Sequence, residues 1–489
     1  MHTLDQLQTR LGEVWSLNQP GCTAAHVVVA LPSFSLAPSI LAHYGPRLGP
    51  LEHRYLVSML MLAHIPGCEL VFVCSEDPGE EVIEYYAGLL PPAVRRSVLE
   101  RLHIVTAPGP PGPVATALLD NPAALARIAE LVGGRPAMIE PWNVTASEVA
   151  VAEQLGLPIN GTSPELWPIG FKSAGRKVFH EAGVPTPLGR EDVHDLAEIS
   201  SAVARIRRTH PQARAIVVKH DNSGAGDGNL VIDLQDAHGN AVPRAALRRR
   251  IDRAMPEWYR VDLQAGGVVE ELVSGSAFTS PSAQVDITPA GGVQVLSTHE
   301  QVLGGERGQV YSGCHFPANR AYTGLLAAHA QAVGERLAER GARGRLAVDF
   351  VAILRRRWKV FAIEVNLRKG GTTHPFTVLR HLVPGHFEPA TGDWVATADG
   401  TTRCYTSTDS LMDPAWTGLA PATVIDAVRR AGLEFDRETG TGVVLHMLSG
   451  LAIDGRCGLT AIARSGSEAR DMATHAGAAI TARAVGGPA

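Results

Sequence analysis

The stretch Phe361-Ala-Ile-Glu-Val-Asn-Leu-Arg-Lys-Gly-Gly-Thr-Thr-His-Pro375 constrains this chain most, taken together with Ala347-Val-Asp-Phe-Val351 upstream. Both segments are short β-prone runs, and Arg355-Arg-Arg-Trp-Lys359 lies between them, so they predict two antiparallel strands joined by a basic turn. Glu364, Asn366 and Arg368 alternate along the second run, and side chains at alternate strand positions share a face. Asp349 can lie opposite them on the partner strand. The result is a plate of hard oxygen ligands beside one guanidinium. Such a plate suits Mg²⁺ shared with phosphate oxygens, and Arg368 suits two parallel hydrogen bonds to a carboxylate or phosphate. A half-exposed hairpin with solvated charges is the alternative. A row of Glu, Asn and Arg running straight into Gly-Gly-Thr-Thr-His counts against it.

A second signal is Arg214-Ala-Ile-Val-Val-Lys-His-Asp-Asn-Ser-Gly-Ala-Gly-Asp-Gly-Asn-Leu-Val-Ile232. A strand ends at Lys219, a glycine-rich loop containing Ser223, Gly224, Gly226 and Gly228 follows, and a strand resumes. No helix follows directly, so this is neither a Walker loop nor a dinucleotide turn. A hairpin flap of this kind can close over polyphosphate with backbone N–H groups. Lys219 would then meet the phosphates or the base. Upstream, Lys172 and Arg176 stand four residues apart and share one face of a helix that ends near Gly183. Downstream, Gly267-Val-Val-Glu-Glu-Leu-Val-Ser-Gly275 predicts a strand whose Glu270, Glu271 and Val273 can serve as a hinge against an adenine edge.

Before residue 160, apolar strands at 24–36, 70–75, 102–106 and 136–140 alternate with helical patterns at 52–63, 80–87 and 122–132. That alternation predicts a mostly parallel sheet with helices on its faces. Ser33, Ser35 and Glu140 stand at strand ends, where they touch substrate or cap turns. Three antiparallel strands are expected between 280 and 316, then one long helix over 318–341. Past residue 400, the segments 442–448 and 457–463 form a last strand or helix pair, and a helix begins by 473.

The net charge of −5 gives no basic footprint for nucleic acid. The six cysteines are scattered without a Cys-x-x-Cys pair, so free thiols are expected. No apolar run reaches membrane-spanning length and the N-terminus lacks a secretory pattern, so a cytoplasmic protein is expected.

The order of these signals resembles the ATP-grasp superfamily: a basic helix, a strand Lys with a glycine flap, a Glu-Glu hinge, then Asp and Glu-x-Asn-x-Arg. The last motif is similar to those of biotin carboxylase and the D-alanine–D-alanine ligases. The phrases Ser280-Pro-Ser-Ala-Gln284, Leu296-Ser-Thr-His-Glu-Gln-Val-Leu-Gly304, Tyr311-Ser-Gly-Cys-His-Phe-Pro317 and Asn366-Leu-Arg-Lys-Gly-Gly-Thr-Thr-His-Pro375 resemble the pheganomycin-type peptide ligases of actinomycetes.

The resemblance implies an α/β chain, α+β in its core. A Rossmann-like pre-ATP-grasp domain spans 1–165, and a lid subdomain with the flap spans 166–270. A subdomain carrying the Mg²⁺ and catalytic residues spans 271–400, and a small C-terminal domain with a tail spans 401–489. It implies ATP and Mg²⁺ as cofactors. Lys172, Arg176, Lys219, Ser223, Gly224 and Gly226 would contact phosphates, and Glu270, Glu271 and Val273 the adenine. Asp349, Glu364 and Asn366 would hold metal. Arg368, Lys369 and His374 would act in catalysis, Arg368 on the acyl group and His374 on substrate or the amine proton. The implied reaction joins an amino-acid carboxylate to the amine of a peptide or other acceptor through an acyl phosphate, with neither nucleic acid nor membrane as partner; the donor is a non-proteinogenic amino acid in a secondary-metabolite pathway. The oligomeric state stays open, a homodimer being one outcome. Another ATP-grasp acyl-phosphate chemistry and a non-catalytic ATP-binding protein are the alternatives.

Overall fold

The computed structural model describes residues 3–36, 41, 44–223, 229–304 and 310–486. His26–Leu31 is buried at every position, as a central strand flanked on both faces must be. It pairs in parallel with Cys68–Cys74 on one side and Ala137–Pro141 on the other, and Leu102–Thr106 completes a four-stranded sheet. Helices Glu80–Gly88 and Pro122–Val132 follow their strands as expected, and Ala146–Leu155 follows the last strand of the sheet. The segment expected as a helix over 52–63 is instead an α-helix over Leu48–His53 continued by a 3-10 helix over Arg54–Ala63. That tighter winding buries Arg54, Tyr55, Leu56, Val57, Met59, Leu60 and Leu62 together. Ser33 caps, accepting the Ala115 N–H through Oγ at 3.1 Å.

The lid is a four-stranded antiparallel sheet in the order Gly189–Arg190, Gly267–Glu271, Ala215–His220, Asn229–Asp233. Helices Leu196–Thr209, Arg244–Ala254 and Glu257–Leu263 cover it, and Ile199, Ile206, Ile216, Val218, Ile232 and Ile251 form a core of its own.

The third layer is an eleven-stranded sheet. Trp358–Asn366, Gly344–Leu354, Pro281–Ile287, Val293–Gly304 and Val310–Phe316 lie side by side and antiparallel, backed by helix Thr323–Glu339. Thr402–Met412 adds to Val310–Phe316. Arg456–Ala463 then pairs with Thr402–Met412, and Gly442–His446 pairs with Arg456–Ala463. The two late segments are therefore both strands. They continue the central sheet, and helix Gly466–Val485 follows them. One apolar cluster runs from Leu56 and Tyr86 through Phe316, Phe376 and Tyr405 to Val443, Leu445 and Ile480, joining the first domain, the central sheet and the last strands. Among the described residues, no helix is long and apolar enough to cross a membrane.

Candidate active site

Asp349 and Glu364 face each other directly across the Gly344–Leu354 and Trp358–Asn366 strands. The register slips by one residue just after Asp349, a bulge that re-aims side chains at the strand end. The Asn366 amide donates to Asp349 Oδ2 at 2.8 Å, and Gln301 Nε2 donates to Asp349 Oδ1 at 2.7 Å. Burial raises the Asp349 carboxyl to about 6, the neighbouring Glu364 charge adds to the rise, and Ser282, Arg368 and Gln301 oppose it. Two carboxylates held together against their own repulsion are what a divalent cation relieves. The three predicted metal ligands thus stand together and fit Mg²⁺.

Lys172 reaches this plate from the helix Lys172–Glu181. Its Nζ lies 3.6 Å from Glu364 Oε1 and donates to the Ser223 carbonyl at 2.5 Å. Lys172 therefore links Ser223, the last described residue before the glycine-rich stretch, to the Asp349–Glu364 pair. Gly224 and Gly226 lie outside the described residues.

One helical turn on, Arg176 is buried at 2% exposure, with Nη1 2.5 Å from Glu270 Oε1, Nε 2.8 Å from Glu191 Oε1 and Nη1 3.0 Å from the Pro187 carbonyl. Lys219 Nζ donates to the other oxygen of Glu270 at 2.5 Å. Burial alone would raise the Glu270 carboxyl, but the charges of Lys219 and Arg176 outweigh it and hold it below its ordinary value. This corrects the expected contact between Glu270 and an adenine amino group, because its carboxylate is spent on orienting two cations. Glu271 points to the opposite strand face, where its carboxylate pairs with His210, so its side chain is also removed from the hinge. Val273 is buried just beyond that strand, and the Leu272 N–H bonds to the Ala215 carbonyl.

Arg368 lies 4.8 Å above the Trp142 ring, and Trp142 in turn packs on Phe34 with centroids 4.4 Å apart. Arg368 Nη1 donates to the Lys369 carbonyl at 3.1 Å, and the indole face holds the guanidinium from one side. Lys369 is corrected. Its Nζ is 2.5 Å from Glu140 Oε1, its N–H bonds to the Trp142 carbonyl, and burial lowers its pKa. It ties the segment after the Trp358–Asn366 strand to Glu140 and Trp142 at the end of the Ala137–Pro141 strand. His374 is corrected as well. It is fully buried beside Asp409 and His446, and burial lowers its pKa, so its imidazole is closed off from substrate.

The sequence reading misses Trp142, Gln301 and Glu191. Trp142 follows the parallel strand Ala137–Pro141, the position where ligands collect in such sheets, so strand-end position is the signal that finds it.

Compared with solved structures, the chain resembles biotin carboxylase from Campylobacter jejuni in its β-γ-ATP complex (TM-score 0.54, 13% identity, 92% of this chain and 90% of that one). It also resembles an N5-carboxyaminoimidazole ribonucleotide synthetase in its ADP complex (TM-score 0.52, 13% identity, 93% and 96%). The family described as "IQCH-like, ATP-grasp" matches residues 253–388, and "PGM1 C-terminal domain" matches residues 423–476. The architecture is the ATP-grasp fold, mixed α/β as expected. The L-propargylglycine–L-glutamate ligase of Streptantibioticus cattleyicolor is 32% identical over 429 residues, covering 85% of this chain and 86% of that protein. The chain belongs to the ATP-grasp peptide ligase family, and it is a ligase.

Proposed function

We propose that this ligase joins the carboxylate of one amino acid to the amine of a second amino acid or a peptide in specialised metabolism, converting ATP to ADP and phosphate. The observation that carries the reading is the face formed by Asp349, Glu364 and Asn366 beneath Lys172, with Arg368 just past the strand end close enough for its charge to act on Asp349. Asp349, Glu364 and Asn366 would hold Mg²⁺, which supplies charge neutralisation on the transferring phosphoryl group. A carboxylate oxygen of the donor attacks the γ-phosphorus, and the bond to the ADP oxygen breaks. The acceptor amine then attacks the acyl carbon, and phosphate leaves with the former carboxylate oxygen and takes up the amine proton. Arg368 holds the acyl oxygen as negative charge develops there, with Trp142 fixing its plane. Lys219, held by Glu270, would present its charge to the phosphates, while Arg176, buried between Glu270 and Glu191, braces that carboxylate from behind.

The substrates named for the Streptantibioticus relative are two free amino acids, so L-propargylglycine and L-glutamate head the panel, followed by other small amino acids and short peptides. Six free cysteines, five of them buried, fit a cytoplasmic setting. The test is ADP and phosphate release with Mg²⁺-ATP, with mass spectrometry on the same samples. Release that needs both acid and amine, with a product lighter than their sum by one water, is expected. Release without amine dependence would overturn the reading. E364Q is expected to stop substrate-dependent ADP release, and R368A to lower kcat by about 10²–10³-fold, the usual loss for one oxyanion donor; unchanged turnover in either variant removes its residue from the site.

A further inference from the structure

Away from the oxygen plate, three side chains from distant parts of the chain turn the same way. His374 comes from the first turn of helix Thr373–Leu382, Asp409 from strand Thr402–Met412 and His446 from the end of strand Gly442–His446. Both imidazoles are fully buried and Asp409 is nearly so. Their Nε2 atoms are 3.1 Å apart, and they lie 3.1 Å and 2.9 Å from the same oxygen, Asp409 Oδ1. All three atoms therefore form a nearly equilateral triangle.

Hydrogen bonds account for that triangle only with both Nε2–H groups on the one oxygen. A neutral imidazole carries one N–H, directed along one line in its ring plane. If both Nε2 atoms carry it, both hydrogens converge on one oxygen and the N···N contact sets two positive ends together. If one Nε2 gives up its proton, its lone pair faces the carboxylate. Among the described residues, neither His374 Nδ1 nor His446 Nδ1 has a hydrogen-bond partner, with or without an ion on Nε2. A cation at the centre turns all three short contacts into ligand–ligand edges. For metal–nitrogen bonds of ordinary length, such edges measure about 2.9 Å at right angles and about 3.4 Å in a tetrahedron, and the three observed sides fall at the short end of that range.

We propose that His374, Asp409 and His446 hold one divalent transition-metal ion, with zinc the first candidate. Two imidazole nitrogens and a single carboxylate oxygen favour that class over Mg²⁺, which takes oxygen ligands. Arg54 Nη1 holds the other oxygen of Asp409 at 2.5 Å, which fixes the carboxylate as a one-oxygen ligand. Gly458 makes room for the arrangement: a Cβ there would stand 2.1 Å from His446 Nε2. With one carboxylate and Arg54 alongside, the imidazoles carry most of the binding. The ion loads as the chain folds, because all three ligands are buried. It pins the helix that begins right after Gly370 and Gly371 to the last strands of the sheet.

The test is elemental analysis of the full-length chain, with any affinity tag removed, after dialysis against EDTA. About one equivalent of a transition metal is expected, retained through dialysis and released on denaturation. D409A and H446A should each carry less than about a tenth of an equivalent. Wild-type protein below that level overturns the proposal. Should either variant fail to fold, wild-type chain refolded from guanidinium in Co²⁺ decides: visible absorption bands of nitrogen-ligated Co²⁺ support the site, and a flat spectrum of folded protein overturns it. None of these readouts depends on ligase activity.

Discussion

Glu52 is almost fully buried, and its Oε2 accepts both the N–H and the hydroxyl of Ser75, at 2.7 Å and 2.8 Å. Burial nevertheless raises its carboxyl from 4.5 to about 7, with the Glu76 charge adding to the rise against those two hydrogen bonds. The folded value lies above the unfolded one, so the stability this group contributes is complete below about pH 4.5 and is lost as pH rises to about 7. At about 1.4 kcal/mol per unit the loss is roughly 3 kcal/mol. The E52Q variant keeps the acceptor oxygen and removes the titration. Chemical denaturation from pH 4.5 to 7.5 should show it gaining roughly that amount on the wild type as pH rises; parallel curves would contradict the buried carboxylate. Glu270 is the opposite case, a carboxylate on which two buried cations depend. E270A should cost about 3–5 kcal/mol in urea unfolding, the usual result of stripping a buried pair of one partner. At this scale the sequence is most legible where strand alternation alone decides. Asp349, Glu364 and Asn366 need only the knowledge that two strands pair. Glu270, Lys369 and His374 defeat the same logic because their partners, Arg176, Glu140 and Asp409, come from elsewhere in the chain, and nothing local announces them.

The turn after the Trp358–Asn366 strand is the element on which the site hangs. Gly370 accepts the Tyr55 hydroxyl at 3.2 Å, Thr373 Oγ1 accepts the Gly370 N–H at 3.0 Å, and Gly371 lies so close to the Tyr311 ring that a Cβ would stand 2.2 Å from it. The turn is gripped from the first domain and the central sheet at once. G371A should push the turn off Tyr311 and lower kcat by about 100-fold or more, since displacement near 1 Å is enough for that. Its melting temperature should move only modestly. Wild-type kcat in G371A would show that the turn does not position Arg368. The glycines themselves are visible in the sequence. Their reason is not, because the ring that demands Gly371 lies sixty residues upstream.

The segment expected as a lid carries its own apolar core, whereas one face of the first domain shares a cluster with the central sheet and the final strands, its other face having a core of its own. Ending the chain at residue 440 should therefore strip protection from amides in the Arg54–Ala63 segment of the first domain while amides in Ala215–His220 of the lid stay protected. Hydrogen exchange read by mass spectrometry separates the two outcomes, and equal protection in the first domain would contradict a shared core. The alternation of strands and helices before residue 160 makes the parallel sheet legible, and the motif order makes the ATP-grasp core legible. The merging of the last segment into the central sheet is not, because a strand's pairing partner is set by tertiary packing that periodicity does not encode.

That shared core also sets an order of events at the ribosome. The apolar face around Leu56, Leu60 and Tyr86 is covered in part by Val443, Leu445 and Leu451, which emerge more than three hundred residues later. At usual translation speeds of about 5–20 residues per second, the newborn first domain waits roughly 20–80 seconds with that face unfinished. Its yield in a foreign host should then depend on how many chaperones meet it during that interval, more than on how stable the finished enzyme is.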